Sequence, residues 1–321
     1  HLKLKINVAG IISSKKMIFN DAGINLENWK DQLMTGEAAD LDLFVYNILS
    51  KNLRNTVFAD ITANEKVAMV YEKLLKKSIS VVACNKIACS SPFDYYKKLK
   101  GLSHEFNTQF LFETNVGASL PIISTLNDLL RSGDTVHKME AVLSGTLNFV
   151  FNNYDGKKSF ASVVKQAQEE GYTEPDPRLD LSGKDVMRKI MILIREAGNE
   201  IEMDDISNNS FMPPPCMEGS VDDFYKSMEA HEEHFKNLYE AAAKEGNKLK
   251  FVAKYENGKA SVGLQQINPQ HDFYHLYGKD NIVLFYTDRY VDQPLVIKGA
   301  GAGADVTASG VFADIIRAYR V

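Results

Sequence analysis

The chain has 321 residues, 45% of them apolar, with 42 acidic against 37 basic side chains and a formal net charge of −5. That length can supply two domains with a core each, and the acidic balance argues against nucleic acid or an anionic membrane as the main partner. No apolar run approaches the ~20 residues that span a bilayer, no signal-peptide pattern opens the chain, and Cys84, Cys89 and Cys216 lack the pairing and spacing of a disulfide framework or a zinc site, so the cytoplasm is the expected compartment.

Leu4 to Ile12 alternates and then runs apolar, as a strand entering a sheet interior does, and ends at Ser13-Ser-Lys-Lys16. Asp40 to Lys51 has apolar residues at helical spacing. Thr56 to Ile61 reads as a short strand closed by Asp60 and Thr62, Asn64 to Lys77 as an amphipathic helix, and Ser80 to Cys84 as a strand followed by Asn85 and Lys86. Strands alternating with helices at this pitch predict a parallel sheet with helices on its faces. Beyond Phe110 to Phe112, the bend Thr114-Asn-Val-Gly-Ala-Ser-Leu-Pro121 leads into a helix from Ile122 to Leu130 and opens a second region. There Lys138 to Leu143 is strand-like, Gly171 to Gly183 is a loop, and a long helix runs to Glu196. After Pro213-Pro-Pro215 come the helical Val221 to Glu245 and the strand-like Leu249 to Tyr255, Ala260 to Ile267 and Asn281 to Tyr286. Leu295 to Val321 reads as strand, glycine loop and a helix over Val306 to Arg320.

Chemistry concentrates in Gly171-Tyr-Thr-Glu-Pro-Asp-Pro-Arg-Leu-Asp-Leu-Ser-Gly-Lys-Asp-Val-Met-Arg-Lys189. Two prolines stiffen the backbone around Glu174 and Asp176. Asp185 and Lys189, four apart on the following helix, share a face, so carboxylates can hold a substrate ammonium while a lysine gives a proton to a carbonyl oxygen. The same spacing also fits a Ser182-x-x-Asp185 capping box with a plain surface ion pair, and spacing alone leaves the two open. Gly299-Ala-Gly-Ala-Gly-Ala304 fits G-x-G-x-x-A between a strand and a helix, but a dinucleotide fingerprint opens a series of strands, whereas this one ends the chain, and close strand–helix packing explains its glycines better. Alternate carbonyls of an extended Val116-Gly-Ala-Ser-Leu120 could face one spot beside Glu113 and suit a hard cation, although a simple turn explains the stretch better. His231-Glu-Glu-His234 lacks zinc-protease spacing, His271 and His275 lie in an aromatic loop, and neither a serine-hydrolase elbow nor a phosphate loop occurs.

Taken together, the Gly171–Pro177 loop, Leu181-Ser-Gly-Lys-Asp-Val-Met-Arg-Lys189, the Thr114–Pro121 bend, Leu143-Ser-Gly-Thr-Leu-Asn148 and Gly301-Ala-Gly-Ala-Asp-Val-Thr307 resemble homoserine dehydrogenase over nearly the whole chain. Asn25-Leu-Glu-Asn-Trp29 is similar to the form fused behind aspartokinase. The resemblance implies an α/β fold: an incomplete Rossmann-like nucleotide-binding domain over residues 1–115, completed by 299–321, and an α+β catalytic and dimerisation domain over 116–298. It implies Lys189 as proton donor, Glu174, Asp180 and Asp185 as substrate-binding residues, and Lys86 at the junction of cofactor and substrate. Thr62, Gly171 and Gly301 match nucleotide contacts, while Glu113 and the carbonyls of Val116, Ala118 and Leu120 match a monovalent cation site, usually sodium. The implied reaction is the NAD(P)H-dependent interconversion of aspartate 4-semialdehyde and homoserine, in a homodimer with an aspartokinase upstream. Ser13 and the cations after it suit a 2′-phosphate better than a 2′-hydroxyl, which points to NADP over NAD.

The family's first strand and glycine-rich phosphate loop have no counterpart ahead of Leu2, so a piece of a longer, bifunctional chain is expected. Leu179 stands where many relatives are acidic, and Ser119 where glycine is common, which leaves fine substrate geometry open. A noncatalytic dimerisation and ligand-binding module is the alternative, against which both Lys86 and Lys189 are retained.

Overall fold

The computed structural model describes residues 4–319; His1, Leu2, Lys3, Arg320 and Val321, at the ends of the expected nucleotide-binding domain and of the expected last helix, lie outside the described residues. The first strand is shorter than the alternation of Leu4 to Ile12 implied. Only Gly10–Ile12 (β1) is extended and paired, and it pairs antiparallel with Lys16–Phe19 (β2), which pairs with Glu37–Ala38 (β3). The Ser13 side chain explains the reversal: its Oγ accepts the N–H groups of Lys15 (3.3 Å) and Lys16 (3.0 Å) and closes a tight turn, so Ile12 meets Met17 instead of a parallel neighbour.

Val57–Asp60 (β4), Ser80–Ala83 (β5) and Phe110–Leu111 (β6) form the expected parallel sheet in the order β4-β5-β6. The segment between β4 and β5 is not one helix but two, Glu65–Ala68 and Tyr71–Leu75, because Val70 bonds back three residues to Val67 and tightens the turn between them. Tyr71, Leu74, Leu75, Leu99 and Leu102 are buried under the sheet, the last two from the helix Phe93–Glu105.

The second region is built on a six-stranded sheet. Its strands are Val136–Val142 (β7), Ile206–Asn209 (β8), Lys248–Glu256 (β9), Lys259–Ile267 (β10), Asp280–Thr287 (β11) and Leu295–Ala300 (β12), in the order β12-β11-β7-β9-β10-β8. All pairs are antiparallel except β10 with β8. The helix Lys184–Glu196 lies on β9 and β10 and buries Val186, Ile190, Met191, Leu193 and Ile194, each fully buried aliphatic side chain contributing about 1.5–3 kcal/mol. The helical stretch Val221 to Glu245 is broken at His231, which ends Val221–Ala230 and starts Glu232–Lys244.

The chain passes between the two sheets twice. It leaves β6 through the Glu113–Pro121 bend and the helix Ile122–Arg131, and it returns from β12 through Gly301–Gly303 into the helix Ala304–Tyr319, which packs on β4 and β5. The end of β12 lies against the first crossing: a Cβ on Gly299 would lie 3.0 Å from Leu120 Cδ2.

Candidate active site

Asp60 ends β4, and Asn85 and Glu113 follow the C-terminal ends of β5 and β6, the edge at which open α/β sheets bind ligands. Asp60 is 1% exposed, and it accepts from the Tyr71 hydroxyl (2.6 Å), Asn85 Nδ2 (3.0 Å) and the Thr62 N–H (2.8 Å). Burial and then the Asp60 charge push the Tyr71 hydroxyl far above its usual range, so it stays a donor. Asn85 in turn accepts from the N–H of Ile87. This buried pair fixes the turn on which Lys86 stands.

Across from it, the helix Lys184–Glu196 begins at Gly183, whose φ of +74° and whose missing Cβ, which would lie 2.7 Å from the Phe251 ring, both require glycine. The capping-box alternative is not realised. Ser182 Oγ donates to the Leu179 carbonyl, and the Asp185 carboxylate faces two ammonium groups: Lys189 Nζ at 2.8 Å and Lys86 Nζ at 3.6 Å. Burial alone pushes the Asp185 carboxyl up; the charges of Lys189 and Lys86 more than reverse this and hold it well below the usual carboxylate range. Lys189 Nζ also donates to the Leu143 carbonyl at 2.7 Å and is 12% exposed. The arrangement gives a solvent-shielded ammonium with a fixed direction, as proton donation to a developing oxyanion needs.

The loop before the helix is rigid for reasons beyond its prolines. Arg178 grips Asp176 through two parallel contacts (2.8 and 2.6 Å) and donates to the Gly219 carbonyl at 2.6 Å. Glu174 N–H donates to Asp180 Oδ2 at 2.9 Å; Asp180 Oδ1 lies 3.2 Å from the Thr146 hydroxyl, which donates to the Tyr172 carbonyl. Burial raises the Asp180 carboxyl, and the Glu174 and Asp185 charges add to that. The Glu174 carboxylate is exposed and makes no hydrogen bond or ion pair among the described residues. Gly171 ends the helix Phe160–Glu169 at φ +74°, with the Tyr172 N–H returning to the Ala167 carbonyl.

Gly301 belongs to the same centre. A Cβ there would lie 2.1 Å from Asn281 Cγ, and Asn281 Nδ2 donates to the Leu143 carbonyl that orients Lys189. Asn281 Oδ1 is buried without a partner. A backbone cradle that excludes a side chain, beside an unsatisfied amide oxygen, has the donor and acceptor chemistry that a nicotinamide ring and its carboxamide require. Thr62 is exposed at the end of β4, and Ser13 is engaged within its own turn; no hydrogen bond among the described residues joins Ser13 or Gly171 to the lysine pair.

The bend at Val116–Leu120 is not extended, since Gly117 and Ala118 have φ of +77° and +53°; the alternation of carbonyls inferred from an extended stretch therefore does not apply. The Glu113 carboxylate accepts from the N–H groups of Ile123 (2.6 Å) and Ser124 (3.0 Å) and from Arg317 (3.1 Å), so it caps a helix and pairs with an arginine. Burial raises this carboxyl against those contacts. The carbonyls of Val116 and Ala118, both buried, accept no hydrogen bond among the described residues, while that of Leu120 takes the Ile122 N–H. Buried carbonyls need a partner, and carbonyl oxygen is the donor type that a hard cation takes.

Asp60, Asn85, Asn281 and the Leu143 carbonyl organise the site without having been singled out from the sequence. Leu143 stood in a recognised motif, but a main-chain oxygen has no sequence signature.

The chain matches the family model for homoserine dehydrogenase over residues 121–316 and that for the homoserine dehydrogenase NAD-binding domain over residues 2–113. It is 43% identical to the bifunctional aspartokinase/homoserine dehydrogenase 1, chloroplastic, of Zea mays, over 99% of this chain and 35% of that protein. It therefore spans about a third of the length of such curated bifunctional relatives. The homoserine dehydrogenase of Schizosaccharomyces pombe is 40% identical over 92% of this chain and 81% of its own length. Among solved structures, a Candida auris protein of unknown function superposes with a TM-score of 0.91 at 35% identity, covering 99% of this chain and 93% of that one. A hyperthermophilic archaeal homoserine dehydrogenase in complex with NADPH shares the fold, with a TM-score of 0.74 at 23% identity over 98% and 88%. No helix among the described residues is long and apolar enough to cross a membrane. By the two family models and the relative matched over most of its own length, the chain belongs to the homoserine dehydrogenase family.

Proposed function

We propose that the chain interconverts L-aspartate 4-semialdehyde and L-homoserine with a nicotinamide dinucleotide, NADP in preference to NAD. It would serve threonine and methionine biosynthesis in the cytoplasm as a homodimer formed through the second region, joined to an aspartokinase. The bifunctional relatives support the last point, and three free thiols suit a reducing compartment.

The observation that carries the proposal is the sharing of one carboxylate, Asp185, by Lys86 and Lys189. Asp185 draws both lysines to one place, and the Leu143 carbonyl aims Lys189, which passes its proton to the aldehyde oxygen as negative charge develops there. Glu174, Asp180 and Asp185 are the substrate-binding carboxylates, and Glu174 is free to take the substrate ammonium. Thr62, Gly171 and Gly301 would hold the dinucleotide, with Ser13 at its ribose and Lys86 where it meets the substrate. When bound, it supplies or accepts the hydride at the carbonyl carbon. Sodium is the proposed monovalent cation, on the carbonyls of Val116, Ala118 and Leu120, with Glu113 shaping the bend around it. A lysine pair set on one carboxylate favours turnover over mere ligand binding.

The test follows NADPH oxidation with aspartate semialdehyde in the parent and in Lys189→Met. The variant should lose about 10²–10⁴-fold in kcat with its melting temperature little changed. Unchanged turnover removes Lys189 from the role, and a parent without turnover favours the noncatalytic module.

A further inference from the structure

One buried arginine ties the segment carrying Lys86 to the helix carrying Lys189. Arg195 stands in the last turn of the helix Lys184–Glu196, six residues beyond Lys189 and about 9 Å further along the axis. Its side chain is 0% exposed, and all its N–H groups are used. Nε and Nη2 donate to the Ile201 carbonyl (3.1 and 2.9 Å), and Nη2 also donates to Glu202 (2.8 Å). Nη1 donates to the carbonyls of Cys89 (2.8 Å) and Ser91 (2.7 Å).

Those last two carbonyls lie at the far end of the helix Ile87–Ser90, whose N-cap is Lys86. A four-residue helix has no stability of its own, so its placement is set by what holds its two ends. At one end Asn85 holds the Ile87 N–H and Lys86 reaches Asp185; at the other, the guanidinium holds Cys89 and Ser91. Asp185 and Arg195 belong to one helix, which makes that helix the reference for both lysines. Arg195 also lies against the rings of Phe93 and Tyr96 (5.5 and 5.7 Å), and Glu202 accepts the Phe93 N–H at 2.7 Å. A packed apolar side chain could fill this volume without a desolvation penalty. Only a planar fork can bind two carbonyls on one side and a carbonyl with a carboxylate on the other; lysine cannot.

We propose that Arg195 is a positioning residue for the dehydrogenase reaction: its guanidinium, clamped on the Cys89 and Ser91 carbonyls, sets where Lys86 stands relative to Asp185 and Lys189. The proposal rests on the function assigned above only for its kinetic consequence, and it is tested with the full chain in two arms.

In the first arm, the labelling rate of Lys86 by an amine-reactive anhydride is read by peptide mass spectrometry without substrate. Arg195→Lys should raise that rate by about threefold or more as local opening increases, with the exposed Lys184 unchanged. In the second, Arg195→Lys is made in the parent and in Lys86→Met. Its loss in kcat/KM should be about tenfold in the parent and under about twofold in the Lys86→Met background, because coupled residues lose additivity. Glu202→Ala, at a half-exposed position, repeats both arms with a smaller effect in the same direction and decides the matter if Arg195→Lys does not fold. An unchanged Lys86 labelling rate, or equal kinetic losses in both backgrounds, overturns the proposal. A parent without turnover counts against the assigned reaction, and the labelling arm still decides the clamp.

Discussion

A single methyl group at Gly301 should disturb both stability and the aim of Lys189. The added Cβ would fall 2.1, 2.3 and 2.6 Å from Cγ, Nδ2 and Cβ of Asn281, far inside the ~3.5 Å of a normal carbon contact. Asn281 is 1% exposed, and one of the three close atoms is its own Cβ, which only the backbone can move. Overpacking of this kind costs about 1–3 kcal/mol, which lowers the melting temperature by roughly 2–8 °C. Whatever moves Asn281 also moves the Leu143 carbonyl, on which both Asn281 Nδ2 (3.3 Å) and Lys189 Nζ (2.7 Å) depend. A displacement approaching 1 Å at a reacting group can cost about 10²-fold. Thermal melts and NADPH-linked turnover of Gly301→Ala measure the two effects separately. Adding Asn281→Gly removes all three of these close atoms and should restore part of the melting temperature without restoring the rate. A Gly301→Ala protein that melts and turns over like the parent would refute the link between this glycine and the lysine.

Gly101 offers the opposite case: it sits inside the helix Phe93–Glu105 with nothing within 4 Å of an added Cβ, so Gly101→Ala should stabilise by about 0.5–1 kcal/mol, and a lower urea midpoint would contradict it. Glu140 should make stability acid-sensitive. Burial by itself raises its carboxyl, but His271 (3.7 Å) and Lys138 (3.1 Å) bring it down to about 2 from an ordinary 4.5. A depressed carboxyl contributes stability above its unfolded value and loses it as pH falls through the folded one. Its contribution of about 3 kcal/mol is thus complete above pH ~4.5 and fades toward pH ~2. Glu140→Gln should cost most near neutrality and little at pH ~2.5; a penalty constant across that range would exclude the mechanism.

Elements governed by neighbours in sequence were legible. The strands at Val57–Asp60 and Ser80–Ala83 and the helix Leu41–Lys51, capped by Asp40, announce themselves through apolar period and cap residue. The pairing of β1 with β2 was not, because alternation in Leu4 to Ile12 specifies an extended chain without naming its partner. The order of the six-stranded sheet was hidden for the same reason: β7 lies between β9 and β11, more than a hundred residues away. Within the site, Asp185 and Lys189 were legible as a pair four apart, but spacing alone could not separate a capped helix from a charge centre. What separates them is Lys86, which arrives from another strand end. Arg195 carried no signal at all, since a buried guanidinium serving main-chain carbonyls looks in sequence like any charged residue near a helix terminus.

The contact between Leu120 and Gly299 limits how the molecule can open. A body joined to another by one strand of chain can swivel freely, like a ball in a socket. Here the chain passes twice, and the two passages adjoin where Leu120 meets the end of β12 at Gly299, so twisting would strain both, and rotation about the line through the pair would strain them least. Arg195 and Lys86 also tie the segment after β5 to the helix Lys184–Glu196, so the residues that position the proton donor are themselves a link between the two regions.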